Sequence, residues 1–361
     1  MAHGTHDLQF LDFGRQNLNQ IMNQTTAAGV SFADILSATN SAMAATVNID
    51  PVIASLVQDT DQEDAGNDFS ASFQLEYGSE YAVARPQRAT QISHQLPIRR
   101  VDMASQFTED FLDAASEEQI GNHLEGIVAG YKNGFEAMAL DALFRPTAIP
   151  LTPGSTSMSP KLIGYDANDP AYGRVTFSDG TVLASPYSHY VSETPANLLA
   201  AIKTAVSRVR RRRGYQGVLD IYPSEGALAL ISALSEFVSA GDALVRVASG
   251  VEEAIVDSSA YAGVIKAVNV RVRHAVGRIL DDSTAGAVWF AVAAPDVSKP
   301  VAWRHNPRRG KTPILRSRSM FPLDYSTVIA EAGFGIRDRF GAAVVMISTA
   351  GGAYTAPEIL G

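Results

Sequence analysis

The chain has 361 residues, enough for one large domain or two ordinary ones, and its hydrophobic share of 46% excludes a disordered protein. A net charge of −9 argues against a dedicated nucleic-acid-binding protein, whose surface would be basic. The absence of cysteine excludes disulfides, thiolate nucleophiles and Cys-ligated zinc. No apolar run reaches the length of a membrane span, and the residues after Met1 lack the basic and apolar regions of a signal peptide. We therefore expect neither a membrane segment nor a cleaved signal.

The N-terminal part of the chain is polar. Residues 1–30 are rich in Asn and Gln, which predicts an extended arm. Between Ser31 and Val47 the apolar residues stand at helical spacing, which predicts a helix. The acidic stretch from Asp59 to Gly66 predicts a loop.

A strictly alternating pattern follows from Phe69 to Tyr77. Every second residue is apolar and the residues between are polar, which predicts a half-buried strand. Gly78 and Pro86 interrupt the pattern. The segment from Gln91 to Ile98 holds too few apolar residues to form a core, so it must lie against the rest of the subunit or against a neighbour.

A long amphipathic helix is the clearest element in the sequence. Ser116-Glu117-Glu118-Gln119 fits the capping box, in which Ser and Gln satisfy the free amides at a helix start. Apolar residues then recur in steps of three, four and one as far as Phe144. The predicted helix is about 43 Å long at 1.5 Å per residue, which suggests a scaffold rod across a flat molecule.

The middle of the chain predicts alternating helices and strands. A turn at Ser178-Asp179-Gly180 predicts a hairpin, and Thr194-Pro195 predicts a capped helix start. A short strand is predicted from Gly217 to Tyr222. Ser224 is the predicted cap of a second helix, which carries apolar residues to Phe237 and ends at Gly241.

The C-terminal third is mostly β. Alternating or continuous apolar runs predict strands at residues 268–272, 285–294, 314–320 and 342–347. Together with the helices, this order predicts a mixed α+β fold.

Nucleotide-binding motifs are incomplete in this sequence. Gly310-Lys311-Thr312 is similar to the end of a phosphate-binding loop, but His305 stands where that motif needs glycine. Gly333-Phe334-Gly335 begins like a dinucleotide fingerprint, yet Asp338 replaces the third glycine. The simpler interpretation of the first segment is a solvated basic loop, and that of the second is a turn at the edge of a strand.

Metal and hydrolase motifs also fail. The acidic stretch begins like a calcium loop, but Asp64 and Ser70 occupy the positions of the required glycine and bidentate glutamate. The seven histidines form no i, i+4 pair, and there is no G-x-S-x-G elbow. We therefore predict a non-enzymatic chain without cofactor or metal, although an active site built from residues far apart in sequence stays open.

One strong cluster of positive charge stands before Gly214. Three interpretations compete: favourable charge at a helix C-terminus, an ion-pair surface between subunits, and contact with nucleic acid. We favour the first two, because no aromatic residues are interleaved and the chain is acidic overall. The cluster consists of Arg208, Arg210, Arg211, Arg212 and Arg213.

The order of these elements resembles the major capsid proteins of tailed bacteriophages, which have the Hong Kong 97-like capsid fold. On that resemblance residues 1–66 correspond to an N-terminal arm, 67–107 to an extended loop and 108–192 to a peripheral domain with a long spine helix. Residues 193–300 then correspond to an axial domain, and 301–361 to returning peripheral-domain strands. The segment from Glu331 to Ile347, with a Gly-Phe-Gly turn before an apolar last strand, is similar to the closing stretch of many such proteins.

The resemblance implies a structural subunit that assembles into hexamers and pentamers of an icosahedral shell enclosing double-stranded DNA. Implied partners are many copies of the chain itself, a separate scaffolding protein, a portal, DNA without sequence-specific contacts, and a decoration or cement protein. The implied location is the virion, assembled in the host cytoplasm. An encapsulin-type compartment shell and an unrecognised soluble enzyme are the alternatives.

Contacts between subunits are expected at apolar and arginine side chains of the loop and at the arginine cluster. Some family members cross-link covalently through a lysine of the extended loop, but Asn67 to Phe107 contains no lysine, so that route is not expected here. The predicted contact residues are Phe69, Phe73, Tyr77, Arg85, Arg88, Arg99, Arg100, Arg208, Arg210, Arg211, Arg212 and Arg213.

Overall fold

A computed structural model gives the fold for most of the chain. The described residues are 34, 37, 50–62, 64–70, 90–108, 114, 116–150, 158–159, 161–162, 188–211, 215, 217–240, 246–247, 254–255, 259–308, 314–320 and 323–360. The predicted arm lies outside this set, as does the predicted hairpin around Ser178-Asp179-Gly180. Of the helix predicted between Ser31 and Val47, only Asp34 and Ser37 are described, and both are helical.

The chain forms two compact units, each built from separate stretches of sequence. The smaller unit comprises Met1–Ile49, Ile98–Glu136 and His305–Ala332. The larger unit comprises Asp50–Pro97, Ala137–Arg304 and Gly333–Gly361.

An antiparallel ladder of three strands runs through the smaller unit. The strands are β4 (Arg99–Thr108), β17 (Ile314–Met320) and β18 (Leu323–Ile336). The first part of β18 lies between the other two, with Leu323 opposite both Met320 and Thr108. The sequence predicted a strand at residues 314–320, and β17 has these bounds, although Ile314-Leu315-Arg316-Ser317-Arg318-Ser319-Met320 does not alternate strictly between apolar and polar residues.

The predicted long helix is confirmed as α2, Glu117–Phe144, which is 28 residues long. Its capping box forms as expected: the Ser116 amide donates to Gln119 Oε1 at 2.9 Å, and the Gln119 amide donates to Ser116 Oγ at 3.3 Å. The predicted stripe is buried at Ile127, Tyr131 and Phe135. The α2 stripe therefore faces protein from Ile127 onward.

Two tyrosine hydroxyls bind the carbonyl groups at the C-terminal end of α2. Tyr354 donates to the Phe144 carbonyl and Tyr190 to the Arg145 carbonyl, both at 2.9 Å. Carbonyls in the last turn of a helix have no intrahelical partner, so these bonds satisfy groups that would otherwise need water. Burial raises the pKa of Tyr354 well above its ordinary value, so the hydroxyl stays protonated and donates.

A mixed sheet of seven strands organises the larger unit. Its order is β7-β19-β15-β8-β13-β12-β9, with β7/β19 and β8/β13 parallel and the other pairs antiparallel. The strands are β7 (Tyr190–Glu193), β8 (Leu219–Pro223), β9 (Phe237–Ser239), β12 (Tyr261–Ile265), β13 (Val270–Arg273), β15 (Ala287–Ala293) and β19 (Ala342–Ser348).

Two helices cover one face of this sheet. After a 3₁₀ turn, Pro195–Asn197, α3 runs from Leu198 to Arg210, and α4 runs from Glu225 to Ser232. Their apolar stripes share one buried cluster with alternate residues of the central strands, such as Ile221, Val292 and Val345. Alternation along each strand sends the intervening residues to the opposite face.

The C-terminal segment contacts the opposite face of the sheet. Trp289 Nε1 donates to the Thr355 carbonyl at 2.8 Å, and Thr355 Oγ1 donates to Met346 Sδ at 3.3 Å. The segment ends in β20, Glu358–Ile359, which pairs with β14, Ile279–Leu280. The C-terminal segment thereby contacts both the sheet, through Thr355, and the end of α2, through Tyr354.

Smaller elements complete the larger unit. A short helix, α1, at Pro51–Ala54 precedes β1, Val57–Thr60, which pairs in parallel with β16, Val301–His305. The remaining strands form two-stranded ladders: β2 (Asp64–Ser70) with β3 (Thr90–Gln95), β5 (Ile149–Pro150) with β6 (Met158–Ser159), and β10 (Arg246–Val247) with β11 (Ala254–Ile255).

Several predicted boundaries are corrected. The acidic stretch from Asp59 to Gly66 is mostly strand rather than loop, because β1 is held by its partner β16 and β2 by β3. Only the first two residues of the strand predicted from Phe69 to Tyr77 are described. Phe69 and Ser70 form the end of β2, and the rest of the predicted strand lies outside the described residues.

Two helix predictions also change. The Thr194 side chain makes no capping bond, so Pro195 alone marks that helix start. Ser224 does cap α4, but the helix ends at Ser232 and Phe237 lies in β9, because that segment pairs with β12.

The stripe of α2 gives a first test. Replacing Ile127 with Asp puts an unpaired charge into a buried position, which is costly, so we expect insoluble or unfolded protein. The matched control is Ala129→Asp, because Ala129 is exposed two positions away on the same helix. We expect that control to stay soluble with a melting temperature close to that of the parent chain. Equal solubility and melting of the two variants would mean that α2 is oriented differently.

Candidate assembly site

The β2–β3 hairpin is the first candidate surface for contact between subunits. Its strands are antiparallel, with Phe69 opposite Gln91 and Ser70 opposite Thr90. Two strands alone bury too little apolar surface to be stable in water, so such a hairpin needs a further packing partner. The hairpin overlaps residues 67–107, which the resemblance assigns to an extended loop, and that assignment stays a prediction.

The root of the hairpin is fixed to the larger unit. Leu96, the residue after β3, is completely buried and packs on Ala302 of β16. The Leu96 carbonyl accepts a hydrogen bond from Arg304 Nη1 at 2.7 Å. These contacts explain how the apolar-poor segment around Leu96 is held: it lies against its own subunit, one of the two options that its composition left open.

The predicted contact residues of the loop are only partly described. Phe69 lies in β2, whereas Phe73, Tyr77, Arg85 and Arg88 lie outside the described residues.

The two remaining loop arginines lie in the smaller unit. Arg99 and Arg100 are exposed at the start of β4, opposite Ala332 and Glu331 of β18. Their role between subunits stays a prediction.

The arginine cluster lies at the C-terminal end of α3, as predicted. Arg208 and Arg210 occupy the last turn and Arg211 is exposed just after it, while Arg212 and Arg213 lie outside the described residues. Arg210 Nη2 donates to the carbonyl of Val268 at 2.8 Å, in the turn between β12 and β13. Arg210 therefore has a role within its own subunit, and contact between subunits stays a prediction for the others.

A buried ionic cluster in the sheet was not predicted from the sequence. Asp220 of β8 is completely buried on the face away from the α3–α4 core. Its Oδ1 accepts from Arg271 Nε at 2.6 Å, and its Oδ2 accepts from Arg273 Nε at 2.9 Å. Pairing of β8 with β13 places Arg271 directly beside Asp220.

Aromatic rings enclose the two guanidinium groups. Each guanidinium carbon lies 4.8 Å from the centroid of the Tyr261 ring, and Arg273 also lies 5.3 Å from that of Tyr222. The Tyr261 hydroxyl donates to Asp220 Oδ2 at 3.2 Å, and Arg273 Nη2 donates to the Tyr261 hydroxyl at 3.1 Å. We call these five residues, Asp220, Tyr222, Tyr261, Arg271 and Arg273, the Asp220 cluster.

Electrostatics keep the cluster in one charge state. Burial by itself would lower the pKa of Arg271 and of Arg273, but nearby groups, Asp220 among them, outweigh burial and the pKa of each arginine is raised. Burial raises the pKa of Tyr261 and of Tyr222, so both phenols stay neutral. The cluster therefore keeps two fixed positive charges around one buried negative charge.

The described residues meet the requirements neither of a metal site nor of a membrane-spanning helix. Within the described ranges, no three His, Asp or Glu side chains are grouped closely enough to hold a metal ion. No helix in that same part of the chain is long and apolar enough to cross a membrane.

Comparison with known proteins identifies the fold. No protein-family model matches the chain, and no curated protein does. A structure of Mycobacterium phage Patience is similar over 93% of both chains at 14% identity, with a TM-score of 0.61. The mature capsid of bacteriophage PhiM1 is similar over 83% of this chain and 87% of that one at 10% identity, with a TM-score of 0.50.

Among the other similar structures is the SrpI encapsulin complex of Synechococcus elongatus PCC 7942. The similarity extends over 85% of this chain and 91% of the encapsulin chain at 12% identity, with a TM-score of 0.46. The predicted fold class is confirmed by the phage structures: the chain has the α+β, Hong Kong 97-like capsid fold of tailed phages.

The Asp220 cluster gives a second test. Asp220→Ala leaves two largely buried guanidinium groups without their shared counter-charge, and loss of one partner of a buried ion pair costs about 3–5 kcal/mol. We expect a large fall in the melting temperature of the dissociated subunit. Asp296→Ala is the matched control, because Asp296 pairs with the same Arg271 at 3.4 Å but is 68% exposed. Equal melting of the two variants would contradict the account of the cluster.

Proposed function

We propose that this chain is a major capsid protein, the structural subunit of an icosahedral shell that encloses double-stranded DNA. The observation that carries the proposal is the similarity of the whole chain to a phage structure over 93% of both lengths. Fold alone does not define function. An isolated two-stranded hairpin is marginally stable, so the β2–β3 hairpin would gain from packing against a neighbouring copy in addition to its contact with β6.

The proposed role is geometric, with no catalytic step. One fold would occupy slightly different environments in hexamers and pentamers, and each subunit would contact several copies of itself. Exposed ion pairs contribute roughly 0–1 kcal/mol each. Many such contacts engaged together can still close a durable container without covalent links.

We assign the parts of the subunit on the same basis. Residues 1–66 would be the arm, 67–107 the extended loop, 108–192 the peripheral domain with its spine helix, 193–300 the axial domain, and 301–361 the returning strands. The β2–β3 hairpin, rooted at Leu96, would then be the part of the loop closest to the subunit body.

The proposed partners follow from the same role. They are a separate scaffolding protein, a portal, a decoration or cement protein, and packaged DNA held without sequence-specific contacts. The net charge of −9 supports a container that binds its packaged DNA only weakly. The proposed location is the virion, after assembly in the host cytoplasm.

Imaging the expressed protein tests the proposal. We expect closed particles or capsomers in negative stain, alone or with scaffold, and a single monomer band when particles are boiled in detergent. Only monomers or dimers under every assembly condition would contradict the shell, and a ladder of covalent oligomers would contradict non-covalent assembly. Particles that contain a co-purifying enzyme and no DNA would favour the encapsulin-type alternative.

Shortening the loop tests its role in assembly. Replacing Gly78 to Arg88 with a short Gly-Ser turn leaves β2, β3 and the root at Leu96 intact, so we expect a soluble, helical subunit by circular dichroism. The same subunit should fail to close shells in sedimentation and imaging, because the contact with the neighbour is lost. Normal shells from this variant would mean that the loop is dispensable for assembly.

A further inference from the structure

The two arginines of the Asp220 cluster share one buried carboxylate. Arg271 and Arg273 both donate to Asp220. A second carboxylate, Asp296, lies 3.4 Å from Arg271 but is 68% exposed, so water screens that pair. The side chains of Arg271 and Arg273 keep 24% and 13% of their surface accessible.

The two arginines are already fixed in position. Asp220 accepts from both guanidinium groups, and the Tyr261 ring lies 4.8 Å from each. A ligand that binds ordered side chains does not have to immobilise them, which favours affinity. A planar guanidinium with free donors suits a carboxylate especially well.

An exposed apolar residue stands next to Asp296 in the sequence. Val297 follows Asp296 in the chain and is 55% exposed. Among the described residues it is one of two large hydrophobic side chains with such exposure, the other being Leu360. Apolar surface beside arginine is typical of the centre of protein interfaces.

We infer that Arg271, Arg273 and Val297, together called the arginine patch, form a contact between copies of this chain and receive a carboxylate of the second copy, for which Asp296 competes. The inference rests on the proposed function, which supplies the neighbouring copies. The chain carries 38 acidic residues against 29 Lys and Arg, so a neighbour offers many carboxylates. Nucleic acid fits less well, because the chain as a whole carries a net charge of −9.

Two substitutions at Val297 distinguish the partners. Val297→Asp adds a negative charge one residue from Asp296, the ion-pair partner of Arg271, and would repel an incoming carboxylate, whereas Val297→Lys adds positive charge. Because Val297 is exposed, neither should change the melting temperature of the dissociated subunit. Lys266→Gln is the matched control, since Lys266 is an exposed cation on the neighbouring turn between β12 and β13.

The readout is the subunit concentration at which shells form, under conditions in which the unmodified chain assembles. We expect Val297→Asp to raise it about tenfold and Val297→Lys and Lys266→Gln to change it less than about twofold. Asp296→Asn removes the competing carboxylate and should lower that concentration. If Val297→Asp lowers the melting temperature, its effect on assembly could come from loss of stability. The effect of Asp296→Asn on the assembly concentration then tests the inference.

Three results would overturn the inference. Equal effects of Asp and Lys at Val297 would mean that no carboxylate is received there. Normal shells that lose nucleic acid with Val297→Asp and retain more with Val297→Lys would identify phosphate as the partner. A higher assembly concentration for Asp296→Asn would show that Asp296 itself makes the contact. Failure of the unmodified chain to form any particle is a separate result, and it would contradict the proposed function.

Discussion

An isolated two-stranded hairpin buries too little apolar surface to be stable in water, so the β2–β3 hairpin depends on packing against other parts of the protein. The hairpin belongs to the larger unit, whose seven-stranded sheet is covered on one face by α3 and α4. Its root is held by burial of Leu96 and by the bond from Arg304. The hairpin is therefore positioned by its own subunit but is not stabilised along its length by the contacts at its root. Among the described residues β3 also contacts β6 of the same subunit. In the proposed shell, a neighbouring copy would supply further packing.

The larger unit supplies the rigid base that such a hairpin needs. Buried apolar residues pack the α3–α4 face, while the opposite face carries the tail contacts at Trp289 and the ionic cluster around Asp220. Burying a carboxylate is costly unless its hydrogen-bond partners are well placed. Removing one partner of a buried ion pair destabilises a protein more than replacing the whole pair with apolar residues. The cluster thus makes the stability of the sheet sensitive to the register of β8 and β13.

Local signals in the sequence predicted the long elements well. The capping box at Ser116 and the apolar stripe after it gave α2 almost to the residue, because both signals act within four residues along the chain. The buried runs gave β15 and β19, because a strand covered on both faces reads as continuous apolar sequence. Together with the order of the elements, these predicted the capsid fold.

Non-local pairing explains what the sequence did not predict. The acidic composition around Asp59 favours a loop, but pairing with β16, far along the chain, makes it strand β1. Phe237 continues a helical pattern, yet pairing with β12 makes it strand β9. Asp220 and Arg271 stand 51 positions apart, and only the register of two parallel strands brings them together. The arginines that alternate with valines in β13 indicated a polar face on that strand, but the pattern could not identify Asp220 as their partner.

The central claim is that the hairpin gains its stability from a neighbouring subunit. Amide hydrogen exchange measured on dissociated subunits and on closed shells tests it most directly. The account predicts rapid exchange for Asp64–Ser70 and Thr90–Gln95 in the free subunit and strong protection of both strands in the shell. The strand that carries Asp220 should be protected equally in both states. Equal protection of β2 and β3 before and after assembly would contradict the account, because the hairpin would then be stable without its neighbour.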